Sequence, residues 1–206
     1  MSIRVVLANI LALCIAMSAC AQERPPGEIR EYEGKRLDAF DRTYDNSIKG
    51  PQKVNSETYR LEITGLVEKP LRLTYREVLA LPHIERAITL HCVEGWNEHL
   101  LFEGVRLTGL IAMAKPRLGV KTVIFHAVDG DTSSLDYAYV QANDILLAFK
   151  INGRVLDERR GFPFQVAAES KLGYKWVKWV SKIELSDKPY RGYWEQRGYD
   201  NAADMK

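Results

Sequence analysis

The chain has 206 residues, 46% of them hydrophobic and 27% charged, with 29 Lys and Arg against 27 Asp and Glu. That supplies the apolar material for one core. A net charge of +2 at pH 7 leaves no basic footprint of the kind nucleic acid requires.

Arg4 gives a short positive start, followed by an apolar run from Val5 to Ala16 that only Asn9 interrupts. Residues 1–19 therefore read as a secretory leader, too short and poorly flanked for a stable membrane span. Met17-Ser18-Ala19-Cys20 resembles a bacterial lipobox, with Cys20 as the lipidated first residue; Met17 stands where Leu is usual. Ala21, where an inner-membrane retention signal has Asp, favours anchoring to the outer membrane. The placement is the cell envelope, on its periplasmic side. Residues 20–58, with Pro25, Pro26, Gly27, Gly34, Gly50 and Pro51, read as a tether and a wrapping segment.

Regular structure begins at Tyr59, where Tyr59, Leu61 and Ile63 alternate with polar residues as a half-buried strand does. Thr74 and Glu77 form a capping box for a short helix that Pro82 ends. Ala87 to His91 reads as a strand running into Cys92, and Leu107 to about Ala114 as a helix closed by Pro116. Thr122 to Val128 is a strand ending in the turn pair Asp129-Gly130. Asn143 is expected to cap a helix through about Phe149, before a turn at Asn152-Gly153. Phe162 to Ala167 and the alternating Ser181 to Leu185 read as strands, and Tyr174 to Trp179 fits either a helical turn or a strand. Residues 59–199 make one α+β domain, since strands and short helices mix without βαβ spacing. Residues 200–206 read as a loose tail.

Cys14 leaves with the leader and Cys20 is blocked by lipid, so Cys92 becomes the one free thiol of the mature chain. It follows an apolar strand, where a rigid scaffold presents reactive groups. Inert packing is one reading. A cysteine hydrolase would need a base and an orienting acid, for which His126 and Asp129 are candidates. Zinc would need further ligands at suitable spacing, and His91, Glu94 and His99 are merely near in sequence. A redox metal held by one thiolate, with a cofactor supplying its other ligands, is the remaining class.

His91-Cys92-Val93-Glu94-Gly95-Trp96 and Phe102-Glu103-Gly104-Val105-Arg106-Leu107 are followed in order by further motifs. They are Val128-Asp129-Gly130, Leu146-Leu147-Ala148-Phe149 with Asn152-Gly153, Gly161-Phe162-Pro163-Phe164, Gly173 to Trp179, and Gly192-Tyr193-Trp194-Glu195. This ordered set, from about Asp45 to Tyr199, resembles the oxidoreductase molybdopterin-binding domain family, which includes sulfite oxidases and periplasmic methionine-sulfoxide reductase catalytic subunits.

The resemblance implies a sulfite-oxidase-type fold of mixed sheets with short helices, and Mo-molybdopterin bound by two pterin sulfurs and the Cys92 thiolate. The implied cofactor-binding residues are Asn46, Arg160, Gln165, Lys175, Trp176, Val177 and Lys178. Gln165 stands where many relatives have Arg, and Ala127 where the sulfoxide reductase has Thr. His99, Arg106, His126 and Tyr137 are candidates to line the metal. The implied reaction is oxygen-atom transfer to or from a small sulfite- or sulfoxide-like substrate, with a membrane haem protein or a cytochrome as redox partner. The competing reading is a cofactor-free binding or assembly module on the same fold.

Overall fold

The computed structural model describes residues 27–42 and 47–205. The leader, Cys20 and Asn46 lie outside the described residues. In chain order the strands are β1 (Glu31–Tyr32), β2 (Lys35–Arg36), β3 (Arg60–Gly65) and β4 (Leu71–Thr74). Helix α1 (Tyr75–Leu79) leads to β5 (His83–His91) and β6 (Asn97–Arg106), and α2 (Leu107–Met113) to β7 (Thr122–Ala127) and β8 (Thr132–Asp136). Helix α3 (Tyr137–Ala142) precedes β9 (Leu146–Ile151), β10 (Arg154–Val155), β11 (Gln165–Ala167) and β12 (Val180–Ser186). Short 3₁₀ turns occupy Gly173–Lys175 and Glu195–Arg197.

Two five-stranded sheets form the body. In the first, β5, β6 and β9 run antiparallel side by side, and β10 and β11 share the far edge of β9. The second has the order β4-β3-β12-β7-β8, with β12 parallel to β3 and every other pair antiparallel. Side chains of both sheets enter one core, from Ile88, Leu100, Phe102 and Leu147 to Leu61, Ile63, Phe125 and Ile183. Burying each such side chain contributes roughly 1.5–3 kcal/mol.

Local chemistry explains several elements. The capping box at Thr74 is complete: the Glu77 N–H donates to Thr74 Oγ1 at 3.2 Å, and the Thr74 N–H to Glu77 Oε2 at 2.7 Å. Asn152 and Gly153 both have positive φ, as a tight β-hairpin turn between β9 and β10 requires. Phe162-Pro163 is a cis peptide, and the strand expected from Phe162 starts at Gln165.

The segment from Leu146 is a strand and not the expected helix. Leu146 to Phe149 are buried, between β6 on one edge and β10 and β11 on the other. Periodicity alone does not separate such an apolar run from a short buried helix. Asn143 turns back instead, its Nδ2 donating to Tyr139 O at 2.8 Å behind α3. Strands β6 and β8 and helix α3 were not foreseen.

The tail is not loose over its described part. Ala203 is buried, the Leu172 N–H donates to Ala203 O at 2.9 Å, and Tyr174 Oη donates to Asp200 O at 2.7 Å. Lys171 clamps the same stretch through Ala202 O and Asp204. Within the wrapping segment, Leu37 and Phe40 are buried.

Candidate functional site

Cys92 opens the five-residue connection between β5 and β6. Its N–H donates to Trp96 O at 3.0 Å, and the Gly95 N–H donates to Cys92 O at 3.1 Å. Gly95 takes φ +87°, where a side chain would be strained. The thiol is therefore fixed by a closed turn on a rigid hairpin. It is half-buried, and its sulfur lies 4.0 Å from Glu94 Oε2. The Trp96 indole holds that carboxylate in place, with Nε1 donating to Glu94 Oε2 at 2.9 Å. Burial raises the Cys92 pKa most and the Glu94 charge adds to it, while the Glu94 and Val93 N–H groups partly oppose the rise. A metal at this sulfur must displace a proton.

The neighbouring wall is the segment 172–179. Leu172 bridges His91 in parallel, and a Cβ on Gly173 would sit 3.4 Å from His91 O and 3.9 Å from Cys92 Cα. Further along, the Val166 N–H donates to Val177 O, the Trp179 N–H to Gly161 O and the Val128 N–H to Trp179 O. Gly161 is packed so closely that a Cβ would lie 2.8 Å from Lys178 Cβ. One strip of backbone thus joins the Cys92 turn to Gly161, Gln165 and the Val128-Asp129-Gly130 turn.

Along this strip the sequence-predicted residues separate into two groups. Gln165 is buried on β11. Lys178 is half-buried with its Nζ 5.7 Å above the Trp179 ring. Trp176 and Val177 are core residues, Trp176 edge-on to Phe102 at 5.5 Å. Lys175 and Arg160, expected to bind the cofactor, use their charges internally. Lys175 is fully buried, with Nζ 2.5 Å from Glu195 Oε1 and 3.0 Å from Ser134 O, and burial lowers its pKa although Glu195 opposes this. Arg160 pairs with Glu98 at 2.8 Å and donates to the carbonyls of Ala39, Phe40 and Arg42. It is a clamp between β6 and the wrapping segment. Glu98 carries no signal in the sequence and Glu195 stands there only as the end of a motif, because a buried carboxylate leaves no periodic mark.

The rival chemistries lose their parts. His126 bonds Glu184 Oε2 at 3.0 Å across β7 and β12, and burial, then Lys182, lowers its pKa. Arg106 pairs with Asp144 at 2.9 Å, and His99 meets Thr89 at 2.9 Å. Tyr137 starts α3, half-buried. Among the described residues no histidine bonds the Cys92 sulfur, and no three His, Cys, Asp or Glu side chains gather to hold a metal. A metal at Cys92 would take its other ligands from a cofactor. The residues present fit such a group: a half-buried free thiol on a closed turn, with the buried Gln165 amide on the strand that the strip joins. Among the described residues no helix is long and apolar enough to cross a membrane.

Residues 48–194 match the model of a family described as "Oxidoreductase molybdopterin binding domain". A protein of Azospira oryzae with the provisional name protein-methionine-sulfoxide reductase subunit is 32% identical over 149 residues, 72% of this chain and 57% of that one. The protein-methionine-sulfoxide reductase catalytic subunit of Campylobacter jejuni is 30% identical over 161 residues, 70% of this chain and 54% of that one. This chain thus spans little more than half the length of either relative. The sulfane dehydrogenase SoxCD of Paracoccus pantotrophus superposes with a TM-score of 0.64 at 27% identity, over 68% of this chain and 41% of that chain.

Proposed function

The chain belongs to the oxidoreductase molybdopterin-binding domain family, and from that membership we propose that it transfers an oxygen atom to or from a small oxo substrate at a molybdenum held by Cys92. The cofactor that goes with this membership is Mo-molybdopterin. When bound, it supplies a metal that alternates between oxidised and reduced states as the oxygen atom moves.

The chain's own residues have definable tasks. Cys92 loses its proton to coordinate, and Glu94 Oε2, 4.0 Å away, is the near carboxylate that can pass that proton to water. The Cys92–Trp96 turn holds the sulfur still, so little ordering is left to the moment of binding. The Gln165 amide and Lys178 would meet polar pterin and phosphate groups, with Asn46 reaching over from the wrapping segment. Trp176 and Val177 fix the strip from beneath. Arg160 and Lys175 act at one remove, Arg160 on the wrapping segment and Lys175 on the strip. The observation that carries the reading is the accessible Cys92 thiol on a closed turn, walled by the glycine-bearing strip, inside an ordered family match.

We propose further that residues 1–19 are a cleaved leader, that Cys20 is lipidated, and that the domain of residues 59–199 works on the periplasmic side of an envelope membrane, with the outer membrane favoured. Electrons would pass to or from a membrane haem protein or a cytochrome. The cofactor-free alternative draws on one observation, the internal neutralisation of Arg160 and Lys175. Metal analysis of natively exported protein decides between the two. The enzyme reading predicts about one molybdenum per chain and loss of turnover in Cys92→Ser. Metal-free protein from molybdenum-replete cells, or an active Cys92→Ser protein, contradicts it.

A further inference from the structure

Oxyanion substrates such as sulfite are recognised by guanidinium and ammonium groups that face them. Around Cys92 the candidate cations are engaged elsewhere. Arg160 pairs with Glu98 and Lys175 with Glu195, both out of solvent. Lys171 pairs with Asp204. The charged side chain placed at the sulfur is a carboxylate: Glu94 Oε2 lies 4.0 Å from Sγ. It is not a freely rotating surface group, because the Trp96 indole fixes it at 2.9 Å within the closed turn. Beside it Val93 is 49% exposed, so the outer side of the turn offers apolar surface as well as negative charge.

Resting on the reading of Cys92 as the metal ligand, we infer that Glu94 is a specificity-determining residue, a fixed negative charge that disfavours anionic oxo substrates and leaves uncharged or cationic ones. The force is Coulombic at the protein surface. A unit charge within a few ångströms in water-like surroundings changes the local concentration of an anion by about threefold, and salt reduces that factor.

The Cys92 thiol itself reports this field without any cofactor. The full chain, prepared cofactor-free, is treated with a mixture of iodoacetate and iodoacetamide, and the two products at Cys92 are separated by peptide mass spectrometry from those at Cys14 and Cys20. Both reagents attack the same thiolate, so the product ratio cancels its population and reads charge alone. Relative to the urea-unfolded chain, the folded protein should disfavour the anionic reagent about threefold at low salt. Glu94→Gln, which keeps an oxygen acceptor for the Trp96 indole, should remove that bias, and Glu94→Lys should reverse it. Equal ratios in the wild type and both variants overturn the inference. In metal-loaded protein, Glu94→Gln should shift the ratio of kcat/KM for sulfite over an uncharged sulfoxide toward sulfite by a similar factor. An unmoved ratio there also counts against it. A chain that lacks molybdenum but shows the alkylation bias would sink the enzyme reading and leave the field at Cys92 standing.

Discussion

Asp131 shows how one buried carboxylate ties the fold to pH. It follows the Asp129-Gly130 turn, half-buried, with Oδ1 lacking a hydrogen-bond partner. Burial first, then the Asp129 charge, raise its pKa from 3.8 to about 7, with Glu195 adding to the rise and the Thr132 N–H opposing it. Between those two values the folded chain keeps a proton that the unfolded chain releases. Stability therefore falls as pH rises from about 4 to about 7, and then levels. Asp131→Asn should flatten that slope, raising stability at pH 8 by about 1–3 kcal/mol and little at pH 4. Urea midpoints at the two pH values check this, and an unchanged slope contradicts the assignment. At this scale Cys92 was legible in the sequence, because a lone thiol after an apolar strand stands out and the ordered motifs agree with it. Its electrostatic neighbour was visible as a letter, but Glu94 could have pointed anywhere until Trp96 was seen to hold it. Lys175 and Arg160 misled for the opposite reason. A positive charge in a binding motif looks the same in sequence whether a phosphate or a distant glutamate neutralises it.

Among elements, those with local signals were readable. The Thr74 box, the turns at Asp129-Gly130 and Asn152-Gly153 and the alternation of β12 each depend on residues close in sequence. Strand β9 was misread because its conformation is set by partners far along the chain, Gly104 to Arg106 on one side and Gln165 to Ala167 on the other. The central strand β6 escaped for the same reason, with buried residues in an unbroken run from Leu100 to Val105. Its contact with β9 makes a sharp test. A Cβ on Gly104 would lie 2.6 Å from Leu147 O, whereas one on Gly109 in α2 would meet nothing within 4 Å. Gly104→Ala should cost about 1–3 kcal/mol or more, since the backbone must move to admit it. Gly109→Ala should stabilise by about 0.5–1 kcal/mol through helix propensity. Thermal unfolding of the pair reads both, and equal effects would contradict the β6–β9 packing.

For the molecule as a whole, the two sheets and the described C-terminal residues converge on one strip. The C-terminal residues add Ala203 beside Leu172, and Leu172 bridges His91 immediately before Cys92. Removing residues 200–206 would leave the Leu172 N–H without its acceptor and uncover Tyr174. The truncated chain should lose about 1–3 kcal/mol in urea unfolding, and Cys92 should alkylate faster. An unchanged thiol rate would show that the tail does not brace the strip. Composition said little about this convergence, since a polar tail with two alanines gives no hint that Ala203 is buried.

The central claim is that the Cys92 sulfur is the protein's ligand to molybdenum. X-ray absorption at the molybdenum edge, on the native protein and on Cys92→Ser, tests it most directly by counting sulfur neighbours of the metal. The account predicts two pterin sulfurs plus one protein sulfur in the wild type, and one sulfur fewer in the variant. The same sulfur count in both proteins would contradict it.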